Sequence, residues 1–151
     1  TGMRLSEACG LLIDDIKLDT KIPFINLKPH LWRGLKTASS TRQIPLVGAS
    51  FWAAHRLKVK SVSEFAFPRY CAVESVKANS ASSSLNKWLK GRVEEGNVIH
   101  SFRHSFRDRL RATDCPLEVL DALGGWSTPG VGTNYGKGHS LADKLLYMVK
   151  I

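Results

Sequence analysis

The sequence predicts an α+β domain, predominantly helical, with a small three-stranded antiparallel sheet. Three observations carry that expectation. Apolar residues recur at helical spacing through most of the second half of the chain. Residues 21–47 have strand character instead, and Pro23 and Pro29 mark edge strands or strand ends there. With 151 residues and 43% hydrophobic content, the chain can bury one real core.

Residues 1–12 predict a short helix with Ser6 and Glu7 near its start and Leu5, Ala8, Leu11 and Leu12 inward. Asp14 and Asp15 end it in a turn. Arg4 lies at its mouth, where the helix dipole is positive and a lone cation is disfavoured. Glu7, three residues on, can hold it; an ordinary surface ion pair of that kind is worth little. In residues 21–47, KIPFINLKP alternates weakly and HLWRG makes a loop. LKTASSTRQIPLV then reads as a hairpin, with strands LKT and RQIPLV joined by a small polar turn. Lys36 would project from the middle strand near the hairpin tip. A solvated surface lysine is the plainer account of it.

Residues 48–58 read as a helix with Phe51, Trp52, Ala54 and Leu57 inward. Residues 61–77 are irregular, with FAFPRY packed on the core. Residues 78–93 form a helix capped by Asn79 or Ser80, with Leu85, Trp88 and Leu89 inward and Lys87, Lys90 and Arg92 outward. A further helix starts at Cys115-Pro116-Leu117 with Pro116 at its first helical position, buries Leu117, Leu120 and Leu123, and stops at Gly124-Gly125. Thr128-Pro129 opens a brief helix to Tyr135, weakened by Gly130 and Gly132 at about 1 kcal/mol each. Residues 140–149 form a last amphipathic helix with a stripe of Leu141, Leu145, Leu146 and Val149. That stripe packs either on its own domain or on a neighbouring protomer.

Between these lies the stretch with most chemistry, IHSFRHSFRDRLR at residues 99–111. At helical spacing His100, Arg103, His104, Arg107 and Arg111 share one side, and Ile99, Phe102, Phe106 and Leu110 the other. The cationic side has no carboxylate and repels itself unless an anion is present. A phosphate fits, because the guanidinium fork matches its oxygens two at a time. His100 and His104 have the four-residue zinc spacing, but no Glu follows His100 and Arg103 lies between them, so no metal is expected.

Composition points the same way. The net charge of +9 and pI near 9.8 favour a polyanionic partner, most simply nucleic acid. Cys9, Cys71 and Cys115 are odd in number and far apart, which argues against a disulfide framework and for a reducing compartment. No apolar run is long enough to span a membrane. The chain starts at Thr1 with Met3 as its one early methionine, so a fragment is expected.

Four segments, taken in order, resemble the tyrosine recombinases, or phage integrases. TGMRLSEACGL matches their first arginine box, KTASSTRQIPL their hairpin lysine segment, HSFRHSF their His-x-x-Arg box, and LGGWSTPGVGTNY their C-terminal box ending in the nucleophilic tyrosine. Most members have Leu-Gly-His where this chain has Leu-Gly-Gly-Trp. Trp126, nine residues before Tyr135, takes that role and is better described as a hydrogen-bond donor than as a proton carrier.

The resemblance implies the recombinase catalytic-domain fold over residues 1–151, with a separate DNA-binding domain preceding it. It implies that Tyr135 attacks a DNA phosphate and that Arg4 and Arg103 clamp it. Lys36 would protonate the leaving 5′-oxygen, and His100 would accept the tyrosine proton or help hold the phosphate. Trp126 completes the set, Glu7 and His104 support it, and Lys87, Lys90, Arg92, Arg107 and Arg111 track the DNA backbone. The implied product is a 3′-phosphotyrosyl link, formed with no cofactor, neither ATP nor metal. The implied partner is double-stranded DNA, bound by a homotetramer that exchanges its C-terminal segment, with a monomer expected without DNA. The setting would be a bacterial or phage-encoded cytoplasmic, nucleoid-associated protein. Two other readings stand beside this one. The first is a DNA-binding relative that no longer cleaves, motivated by Gly125-Trp126 and the glycine-rich tyrosine segment. The second is a type IB topoisomerase, disfavoured by the short chain and the integrase-like boxes.

Overall fold

The computed structural model describes residues 1–127 and 138–151. Among them are six α-helices and a three-stranded antiparallel sheet, so the α+β expectation holds. The helices are α1 (Leu5–Cys9), α2 (Gly48–Lys60), α3 (Ala78–Leu89), α4 (Ser101–Arg111), α5 (Leu117–Gly124) and α6 (Leu141–Met148). The sheet runs β1 (Ile16–Lys17), β2 (Phe24–Leu27), β3 (Arg42–Pro45) in spatial order. The anticipated helix from Thr128 to Tyr135 lies outside the described residues.

The sheet differs from expectation in which strands build it. β1 falls where only a turn was anticipated, pairing Ile16 with Ile25. Two residues are too few to show an alternation in sequence, yet Ile16 is buried and Lys17 exposed. Residues 35–37 form no strand, because Leu35 is only half-buried and Lys36 and Thr37 face solvent. The link from β2 to β3 is instead a long excursion. It contains a His30–Arg33 bridge and a 3₁₀ turn, Ala38–Ser40. Lys36 therefore sits on a loop and not on a middle strand. Asp15 is buried rather than at a surface turn. Its carboxylate accepts from the Leu12 N–H at 3.1 Å and contacts His30 Nε2 at 2.8 Å.

Among the described residues, two apolar clusters hold the fold. Leu11, Ile16, Ile25, Leu27, Leu46, Ala54 and Ala66 fill the space between the sheet, α2 and the 65–66 segment. Phe106, Leu110, Cys115, Val119, Leu120, Leu123 and Met148 join α4, α5 and α6. Fully burying one such aliphatic side chain stabilises the fold by about 1.5–3 kcal/mol. The FAFPRY stretch packs as expected: Phe65 bridges to Leu12 and the Ala66 N–H donates to the Leu11 carbonyl at 2.9 Å. A small hairpin, β4 (Cys71–Ala72) with β5 (Ser75–Val76), was not anticipated. Cys9, Cys71 and Cys115 are free and buried. No helix among the described residues is long and apolar enough to cross a membrane.

Several faces are turned from their anticipated orientation, for one reason: a helix beside a small core shows it a narrower stripe than its apolar count suggests. On α2, Ala54 is buried while Phe51 and Trp52 are exposed, Trp52 lying under the Arg56 guanidinium. On α3, Trp88 is exposed under Arg92, the cap is Lys77 rather than Asn79 or Ser80, and Lys90 and Arg92 lie past the helix end. Leu117 is exposed at the start of α5, where Pro116 serves as cap rather than first turn. The stop at Gly125 is as anticipated, with φ 63° in the left-handed region. On α6, Lys144 and Met148 turn inward while Leu146 and Val149 face solvent. This helix packs on β3 and α5 of its own chain, and the Lys144 ammonium donates to the Gln43 carbonyl at 3.1 Å.

Candidate functional site

α4 decides the site, and its buried line is not the one periodicity alone gives. Phe106 and Leu110 are buried as expected, but Phe102 is 59% exposed and Arg103 only 6% exposed. The arginine occupies the core-facing position one turn before Phe106. Its Nη1 donates to the Gly2 carbonyl, which ties the N-terminal segment to α4. Among the described residues nothing accepts from its buried Nη2. A buried donor left without a partner is costly, so this atom favours an incoming acceptor.

Arg4 reaches the same place from α1. Arg4, His100 and Arg103 all line one open cleft of 760 Å³, bounded by α1, the start of α3 and α4. The adverse dipole at the α1 mouth is answered locally. Glu7 accepts from the Arg4 backbone N–H at 2.9 Å through one oxygen and from Arg4 Nη1 at 2.7 Å through the other. This is not an ordinary surface pair, since the Glu7 side chain is 3% exposed. Burial alone would raise its carboxyl, but the Arg42 hydrogen bond and charge, helped by Arg4, hold it below the usual carboxylate range.

The field of the cluster is positive. Burial, then the Arg4 charge, bring the Arg103 guanidinium down to about 10, with Arg42 and Arg107 adding to the same effect and Glu7 opposing it. It stays charged at neutral pH. Burial, then His104, Arg103 and Arg4, push the His100 imidazole below the ordinary histidine value. A shift in that direction favours the neutral form of the ring, which can accept a proton. Its ring meets that of His104 edge-on at 5.1 Å.

Trp126 joins the site through its ring face. The Arg103 guanidinium lies 4.4 Å from the ring centroid and that of Arg107 lies 5.1 Å away. Gly124 makes this possible: a Cβ there would come within 1.8 Å of the indole. The paired glycines thus end α5 and seat the ring against its last turn.

The other anticipated residues are placed as follows. Lys36 is exposed and does not line the cleft. Its loop is nonetheless tied to Arg4: the neighbouring Thr37 hydroxyl is 3.0 Å from the Ser40 hydroxyl, which accepts from Arg4 Nη1 at 3.1 Å. Lys87, Lys90 and Arg92 are exposed on α3 and just beyond it. Arg111 is exposed and lies 3.6 Å from Asp108, whereas Arg107 is half-buried against Trp126. Tyr135 lies outside the described residues. Sequence reasoning passed over Arg42 and Ser40. Arg42 donates to Glu7 Oε2 at 3.0 Å from a buried position. The available signal was its phase: in RQIP, Arg42 shares the inward face with Ile44.

Two guanidiniums and an imidazole line this cleft with one carboxylate behind them, while the Trp126 indole backs Arg103 and does not line it. Such a set can grip a tetrahedral anion and take up a proton beside it. The sequence profile described as the phage integrase family matches residues 1–137. The chain belongs to that family, whose members act on DNA in recombination. Comparison with curated proteins and with solved structures gave no match.

Proposed function

We propose that this chain is the catalytic domain of a site-specific tyrosine recombinase, with the recombinase fold, working beside a separate DNA-binding domain. It cuts and rejoins double-stranded DNA through a 3′-phosphotyrosyl link. The observation that carries the reading is the shared cleft of Arg4, His100 and Arg103, with no acceptor for the buried Nη2 of Arg103 among the described residues.

The Tyr135 oxygen attacks the phosphorus while His100 takes the phenolic proton. Phenol is a poor nucleophile at an ordinary pKa of about 10, so it needs that base and the positive field around it. Arg4 and Arg103 aim donors at the non-bridging oxygens, where charge grows; losing one such donor typically costs about 3 kcal/mol of barrier. The phosphorus–O5′ bond breaks and Lys36 protonates the departing oxygen. The bond energy is retained in the new ester, so strand rejoining is the same path reversed. Lys87, Lys90, Arg92 and Arg111 hold the duplex through its phosphates. Four chains act on two duplexes.

The test is covalent trapping. The protein is mixed with a nicked duplex carrying the attachment site of the element that encodes it, then denatured and analysed for attached DNA. An adduct is expected from the wild type and none from Tyr135→Phe. An adduct that survives Tyr135→Phe overturns the assignment. Duplex binding with no adduct on any substrate favours the non-cleaving relative instead.

A further inference from the structure

We infer that Arg42 is a positioning residue that keeps three separate segments of the phosphate site in register. The inference rests on the recombinase reading of that site. Arg42 does not line the cleft, so it acts through other groups. Its guanidinium donates three ways from a side chain only 2% exposed: Nη2 to Glu7 Oε2 at 3.0 Å, Nη1 to the Ser40 carbonyl at 2.7 Å and Nε to the Leu123 carbonyl at 2.9 Å.

Each acceptor leads to a different functional group. Glu7 holds Arg4 through its other oxygen. Ser40 touches Arg4 through its hydroxyl and ends the turn that follows Lys36. Leu123 is the residue before the Gly124-Gly125 turn that seats Trp126 against Arg103. The three meet although Glu7, Ser40 and Leu123 are far apart in the chain. A planar guanidinium has donors in three fixed directions, and a lysine ammonium at the same place does not reproduce them. The close approach also needs Gly125, where a Cβ would come within 2.6 Å of Arg42 Nη1. The arrangement sets where Arg4, the Lys36 loop and Trp126 stand relative to one phosphate. A misplacement of about 1 Å costs about 10²-fold in rate.

The experiment compares wild type, Arg42→Lys and Ser40→Ala in single-turnover adduct formation on the nicked duplex. Thermal unfolding and duplex affinity are measured alongside. A second duplex carries sulfur in place of the leaving 5′-oxygen, so that departure needs no proton from Lys36. Arg42→Lys is expected to bind duplex within about twofold of wild type yet to form adduct about 10²-fold more slowly. On the sulfur duplex that deficit shrinks by about tenfold, because the part due to the Lys36 loop is bypassed. Ser40→Ala, which keeps Arg42 and removes only the hydroxyl between Arg4 and Thr37, slows the ordinary duplex by about tenfold. Should Arg42→Lys not fold, Gly125→Ala takes its place: its Cβ would come within 2.6 Å of Arg42 Nη1 and push the guanidinium off its acceptors, and the same slowing is expected. A wild-type adduct with neither variant slowed, a deficit matched by lost duplex affinity, or equal deficits on both duplexes overturns the inference. No adduct from the wild type overturns the recombinase reading itself.

Discussion

Glu7→Gln removes one negative charge from among three arginines while keeping the size of the side chain. The carboxylate is 3% exposed and serves Arg4 Nη1 at 2.7 Å, the Arg4 N–H at 2.9 Å and Arg42 Nη2 at 3.0 Å. An amide offers one acceptor oxygen, and its NH₂ faces an arginine donor. Arg4, 25% exposed, can rehydrate, whereas Arg42, 2% exposed, cannot. The cost is therefore dominated by one buried unpaired guanidinium, for which about 3–5 kcal/mol is typical. For a domain of this size that corresponds to a Tm lower by about 6–20 °C. The loss also has a pH signature. The Glu7 carboxyl titrates below its ordinary value near 4.5 when folded, so the stability it contributes is complete above that value. It is lost as pH falls through the lower folded value. Thermal unfolding followed by circular dichroism across pH 3–8 reads both. The gap between wild type and Glu7→Gln should be constant near neutrality and close as pH falls below 4.5 through the lower folded value. A gap under about 1 kcal/mol at pH 7 would mean an ordinary surface pair and would refute the reasoning.

Three further outcomes are expected. Gly124→Ala should stabilise by helix propensity, by about 1 kcal/mol, yet its Cβ would collide with the Trp126 ring at 1.8 Å. We expect a changed near-ultraviolet signal and adduct formation slowed at least about tenfold as Arg103 and Arg107 lose their stacking; a raised Tm with unchanged rate contradicts the ring's role. His104→Ala removes one of the neighbours that depress His100, so the acid limb of the adduct rate should move to higher pH, and a fixed limb would show that His100 is not the titrating base. Neutralising Lys87, Lys90 and Arg92 together should flatten the dependence of duplex affinity on salt, by up to about 2.7 in log–log slope at about 0.9 per phosphate contact; an unchanged slope removes them from the interface.

Local signals were strong enough to be read directly. The 3.6-residue period over 101–111, the Arg4-to-Glu7 spacing and the Gly124-Gly125 stop depend on neighbours a few residues apart, and each has its structural counterpart. Ser140, where the expected 140–149 helix begins, proves to be the cap of α6, its hydroxyl accepting from the Asp143 N–H at 3.1 Å. The third strand was not legible, since β1 exists only because Ile25 pairs with Ile16 across a turn. Nor was the inward turn of Arg103 and Lys144. A hydropathy pattern assigns both to solvent, and the carbonyls that receive them, Gly2 and Gln43, lie about a hundred residues away.

By itself, then, the chain determined the helical character of 101–111, the Gly124-Gly125 stop and the pairing of Arg4 with Glu7, because those follow from spacing within a few turns of backbone. Tertiary structure alone decided that Lys36 stands outside the cleft of Arg4 and Arg103, that Trp126 offers a ring face and that Arg42 joins three distant segments. The physical reason is that a buried charge is tolerated only where partners from elsewhere in the fold surround it. Which partners those are depends on how the two apolar clusters bring their segments together.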